Sequence, residues 1–128
     1  MTVISDIGVN YFFQEALSWE RTMNYYLQEN AFFKTRLAQI LEHTMNSDLL
    51  DKAEYFQNCF LHNDEGMKGL KTDIDMLLRQ IKEFNAAKKI NEKELSVKYR
   101  KLDNEIKNFT KKFEEIKSSF NKYLLSFL

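Results

Sequence analysis

The chain has 128 residues, 44% of them apolar, with no proline and three glycines, so it is long enough for one domain with a real core and poor in the residues that punctuate β-turns and linkers. Formal charge is zero overall, with an acidic excess through the first two thirds and a basic excess in the last third, a balance that suits internal packing as well as it suits an outside anion. One cysteine, Cys59, excludes an internal disulfide, and charges interrupt every apolar stretch before it reaches the roughly 20 residues of a membrane span.

The N-terminus has no basic segment followed by an apolar run, which with the lone cysteine leads us to expect a cytoplasmic protein. The fold class expected is all-α, a long antiparallel up-down-up three-helix bundle forming a single domain over residues 1–128, with helices at about 6–44, 48–85 and 92–127.

The first helix follows from apolar residues spaced alternately by three and four: Val9, Phe12, Ala16, Trp19, Met23, Tyr26, Asn30, Phe33, Leu37 and Ile40. That spacing keeps every member on one helical face. Ser5 is the expected cap, with Asp6 beside the positive helix end. The opposite ridge, Gln14, Arg21, Gln28, Thr35 and Glu42, is polar throughout and supports the phase. A further set of apolar side chains lies off the main track: Tyr11, Leu17, Tyr25, Ala31, Phe32, Ala38 and Met45. The equivalent positions of the third helix are Lys101, Asn108 and Glu115. Exposed aromatics of this kind usually mark an interface, so these seven residues are the interface candidates, with a homodimer the economical arrangement. The alternative is a first helix buried on two sides, together with Tyr55, Leu61 and Met76 of the second.

Thr44 to Ser47 read as a turn, with Ser47 as cap and Asp48 and Asp51 in the first turn of the second helix. Its track is Leu49, Ala53, Phe56, Phe60, Asn63, Met67, Leu70, Ile74, Leu77, Ile81 and Phe84. Gly66 and Gly69 each cost about 1 kcal/mol relative to alanine, and a break near Gly66 would give four helices. The spacing holds its phase through that segment, which favours a continuous helix.

The third helix has the best-marked start. Asn91 and Glu94 stand in the capping-box arrangement, with Ile90 and Leu95 at the staple positions. Leu95, Tyr99, Leu102, Ile106, Phe109, Phe113, Ile116, Phe120, Tyr123 and Phe127 form its track. Eleven cations between Lys88 and Lys122 would suit nucleic acid or an anionic membrane surface. Interleaved acids at spacings of three or four point instead to intrahelical pairs on a solvated helix, and nucleic acid is not the expected partner on that reading.

Each of the first two tracks carries one asparagine. Counted outward from the turn near Asn46, Asn30 and Asn63 fall at nearly the same height, and antiparallel pairing brings them together. Flanked by Glu29 and Asp64, they define an expected polar core layer, with Phe113, Thr110 or Lys117 of the third helix beside it. A buried amide pair would specify register, because slipping by a heptad strands both at about 1 to 3 kcal/mol each. The alternatives are a hydrated edge position for both residues, or a ligand or ion pocket lined by all four.

No catalytic constellation is present: phosphate-binding glycine loops and placed nucleophiles are missing, and there are two histidines, so the chain reads as non-enzymatic. Cys59 and His62 could offer two metal ligands, but His43 is roughly 15 Å away along the axis, so neither a metal nor a cofactor is expected. The segment Glu29-Asn30-Ala31-Phe32-Phe33-Lys34-Thr35-Arg36-Leu37, with Ala53-Glu54-Tyr55-Phe56-Gln57-Asn58 and Asp64-Glu65, resembles stretches of small all-helical bacterial proteins that carry no assigned activity. That resemblance transfers no function and suggests only that Glu29-Asn30 and Asn63-Asp64-Glu65 belong to segments of interest. The function expected is a non-catalytic interaction or scaffolding bundle, self-associating through the first helix or binding another helical protein.

Overall fold

The computed structural model describes residues 3–86 and 91–127. Three helices run through them: α1 (Val3–His43), α2 (Ser47–Asn85) and α3 (Glu92–Leu125). At 41, 39 and 34 residues, each is about 50 to 60 Å long. Contacts from α1 to α3 keep a sequence separation of 80 to 88 residues along both helices, as in Trp19 with Tyr99, Tyr26 with Glu114 and Glu29 with Lys117. The two helices are therefore parallel, with α2 antiparallel to both. Packing of α1 is most extensive against α2 and least against α3.

The three apolar tracks converge as the spacing requires. On α1, Val9, Ala16, Trp19, Met23, Tyr26, Asn30, Phe33 and Leu37 are buried, with Phe12 and Ile40 partly so. On α2 the buried set runs from Ala53 to Ile81 without losing phase. Phe109 and Ile116 on α3 are only partly covered, and Phe127 lies exposed at the end. Aromatic pairs supply much of the cohesion. Phe12 and Trp19 stack on Tyr99 at 4.4 and 5.2 Å, and Tyr26 stacks on Phe113 at 4.1 Å. Phe60 meets Phe120 edge-on at 4.9 Å. Such pairs contribute about 0.5 to 1.5 kcal/mol beyond their burial. The Tyr123 hydroxyl donates to the Leu49 carbonyl at 2.7 Å, which fastens the end of α3 to the start of α2.

Helix ends differ from expectation at two places. Backbone is already helical at Val3, so Ser5 lies within α1 and does not cap it. The cap of α2 is Asn46, not Ser47: its side chain accepts from the Leu49 N–H at 3.1 Å while its carbonyl accepts from Leu50 N at 3.0 Å. With φ −75° and ψ 118°, Asn46 is the residue in extended geometry, and asparagine caps as well as serine. At α3, Asn91 Oδ1 accepts from Glu94 N at 2.8 Å, and the Glu94 carboxylate accepts from the Asn91 side-chain amide at 3.3 Å. The Ile90 staple position and Lys88 and Lys89 lie outside the described residues.

The second helix passes through Asn63 to Gly69 unbroken, which removes the four-helix alternative. Gly66 has a packing reason: a Cβ there would come within 3.1 Å of the Phe109 ring on α3. Its missing side chain makes room for that ring. Gly69 meets nothing within 4 Å, so no contact accounts for it. No described helix is long and apolar enough to cross a membrane.

Candidate functional site: a polar core layer beneath a charge-poor helix face

Asn30 and Asn63 do meet inside the bundle, and both are buried, which excludes the hydrated-edge alternative. The geometry departs from a mutual amide pair. Asn30 is the hub: its amide donates to Asp64 Oδ1 at 2.7 Å and to the Phe60 carbonyl at 3.0 Å. Its own oxygen accepts from Asn63 Nδ2 across a longer 3.4 Å. Lys34, one turn along α1, closes the cluster by pairing with the other oxygen of Asp64. Since Lys34 is 41% and Asp64 24% exposed, that ion pair contributes at most about 1 kcal/mol. The hydrogen bonds, not the charges, hold the layer.

Glu29 faces the other way, toward α3. Its Oε2 accepts from Lys117 Nζ at 2.7 Å, and that bond holds the Lys117 ammonium above its usual pKa. Glu29 Oε1 is buried with no partner among the described residues, so part of its desolvation cost is uncompensated. One turn below, the Tyr26 hydroxyl donates to Glu114 at 3.0 Å. Burial, reinforced by that carboxylate, pushes its pKa up to about 12. The layer thus ties α1 to α2 through Asn30 and Lys34, and α1 to α3 through Glu29 and Tyr26. Lys117 was the third-helix neighbour legible from the turn count; Lys34 was missed, although its place one turn after Asn30 is a usable signal. The donors of Asn30 are satisfied from within the chain, which fits a register device better than a ligand pocket.

The interface candidates divide into two lines. Successive heptads place Leu17, Ala31 and Ala38 on the α2 side of the polar ridge and Tyr11, Tyr25 and Phe32 on its α3 side, about 100° apart around the helix; Met45, expected with them, falls beyond the end of α1 at His43, in the turn to α2, and is 95% exposed. Leu17 is half-buried in a groove with Phe13, Asp75, Leu78 and Arg79. Tyr11 leans edge-on against Tyr99 at 6.1 Å, and burial of Tyr99 together with that hydroxyl raises the Tyr99 pKa. Tyr25 and Phe32 are 54% and 59% exposed. Tyr55, Leu61 and Met76 are exposed too, so the alternative of an α1 covered on two sides does not hold.

The exposure pattern shows a feature that hydropathy alone did not reveal. Between Asn10 and Glu42, the ridge and its two flanking lines carry charge only at Arg21 and Glu42. The remaining positions are amides, hydroxyls, alanines, aromatics and Leu17, while the corresponding strip of α2 carries Asp48, Asp51, Glu54, Glu65, Lys68, Asp75, Arg79, Lys82 and Glu83. Loss of charge with retention of aromatic side chains is the compositional mark of an interface centre. On α3, Lys98, Arg100, Lys101, Lys111 and Lys112 are exposed. Among the described residues its only intrahelical ion pair is Lys107 with Asp103, at 2.9 Å. The expected ladder of such pairs is therefore largely unformed. No group of three His, Cys, Asp or Glu side chains that could hold a metal occurs among the described residues.

No family model matches the chain, and no curated protein or solved structure does either.

Proposed function

We propose that this protein is a non-catalytic interaction or scaffolding module that self-associates through the outward face of α1. The observation that carries the reading is the charge-poor strip between Asn10 and Glu42, with Tyr25 and Phe32 more than half exposed upon it. An isolated bundle gains nothing from placing aromatic rings in water, whereas an association surface loses little desolvation energy where charges are missing. The polar layer directly beneath, centred on Asn30, fixes the register of α1 against α2 and so keeps the strip straight and in phase.

Sedimentation equilibrium from one to several hundred micromolar tests this. The wild type sediments as a dimer, and Tyr25→Lys with Phe32→Lys sediments as a monomer with an unchanged helical spectrum. A wild type that stays monomeric across that range refutes self-association.

A second reading is favoured by the exposed cations of α3: binding to nucleic acid or to an anionic membrane surface. It requires affinity that falls steeply between low and physiological salt, because counterion release drives such binding. Salt-independent binding excludes it.

A further inference from the structure

We infer that the partner on the α1 face is a second copy of this chain packed antiparallel, with the two-fold axis passing between residues 31 and 32. The inference rests on the proposed association through α1 and adds its orientation and register.

The two charges on the strip supply the argument. Arg21 and Glu42 stand equally far, about 16 Å, on either side of the point midway between residues 31 and 32. A perpendicular two-fold axis at that point sets Arg21 opposite Glu42 of the second copy, and Glu42 opposite its Arg21. Both charges of each strip are then matched. A parallel pair in register would instead set Arg21 against Arg21 and Glu42 against Glu42. Antiparallel pairs shifted by a heptad leave Arg21 or Glu42 opposite an uncharged residue.

The same axis orders the uncharged residues. Antiparallel packing brings each flanking line against its own copy. Phe32 therefore meets Phe32 of the second copy beside the axis, and Ala31 meets Ala31 on the other side. Tyr25 meets Gln39, and Asn24 meets Ala38. Alanine pairs let the two backbones approach, while the phenyl rings fill the space next to them. Because α1 ends at His43, the contact would run from about residue 20 to residue 43, about 35 Å along the helix and about 12 Å across it, burying on the order of 800 Å² in total, the size of a weak, transient association. The dimer is accordingly expected to be reversible, at micromolar concentrations.

Two experiments on the full chain test the orientation apart from the association itself. In a Cys59→Ser background, Ala31→Cys oxidises to a disulfide-linked dimer, since its thiol faces its own copy. Gln39→Cys does not, because the two copies of residue 39 are about 22 Å apart. In sedimentation, Arg21→Glu and Glu42→Arg each weaken the dimer roughly tenfold, and the double charge reversal restores it. If the wild type is dimeric but Gln39→Cys links to itself, or the double reversal fails to restore affinity, the antiparallel register is overturned and association through α1 stands. If the wild type is monomeric, both fall together.

Discussion

Asn30→Leu is the sharpest perturbation of the polar layer. The native side chain is fully buried and makes three hydrogen bonds, to Asp64, Phe60 and Asn63. Losing the bond to the charged Asp64 costs about 1.5 to 3 kcal/mol, the neutral Phe60 bond about 1, and stranding the buried Asn63 amide about 1 to 2. Leucine returns about 2 kcal/mol through apolar burial. The net expectation is a loss of about 1.5 to 4 kcal/mol. Asn63→Leu is different: it removes a single bond of 3.4 Å and leaves one unpaired oxygen on Asn30. With the same gain from leucine, that variant should stay within about 1 kcal/mol of the wild type. The double variant strands no amide, so it should equal or exceed the wild type in stability while specifying register less tightly. Urea unfolding of the four proteins measures these differences, provided the slopes agree. Equal losses from the two single substitutions would refute Asn30 as the hub. Single effects that simply add to the double would refute the coupling between the two residues.

Further tests probe the helices around that layer. Gly69→Ala should stabilise by about 1 kcal/mol from helix propensity. Gly66→Ala should gain clearly less or lose, because its Cβ falls 3.1 Å from Phe109; equal shifts in thermal melts would dismiss that contact. Asn46→Ala and Asn91→Ala should each cost about 1 kcal/mol by leaving a first-turn N–H uncapped, and a melting curve unchanged by either would contradict the cap geometry. Tyr26 gives an alkaline signature. Its folded pKa is raised from 10.0 to about 12, so its contribution is complete below pH 10 and disappears as pH rises toward 12. Tyr26→Phe should flatten the loss of stability in that window, and an unaltered pH profile would assign the loss to other groups.

How much was legible in advance varied with the kind of interaction. Helix number, phase and core followed from spacing, because a three-four alternation has only one geometric meaning once the residues are helical. The meeting of Asn30 and Asn63 followed as well, since a short turn fixes relative height in an antiparallel pair. Hydrogen-bond partners did not follow. Height in the bundle is shared by several side chains, and the choice of Asp64 over Asn63 as the main acceptor depends on orientations that spacing does not encode. The cap of α2 went to Asn46 in place of Ser47 for a similar reason: both residues can accept from a first-turn amide, and backbone geometry chose between them.

The sequence by itself determined an all-α chain of three long helices, the residues of their shared core, and a polar interruption at one height. These depend on periodicity and chain connectivity, which are local properties. Only the tertiary structure decided which polar groups bind one another, why Gly66 is needed beneath Phe109, and which apolar side chains remain in water. Those outcomes depend on what the neighbouring helices cover. Tyr25 and Phe32 are exposed because α2 and α3 pack against the opposite side of α1, and it is this placement that turns an unremarked run of neutral residues into a candidate surface.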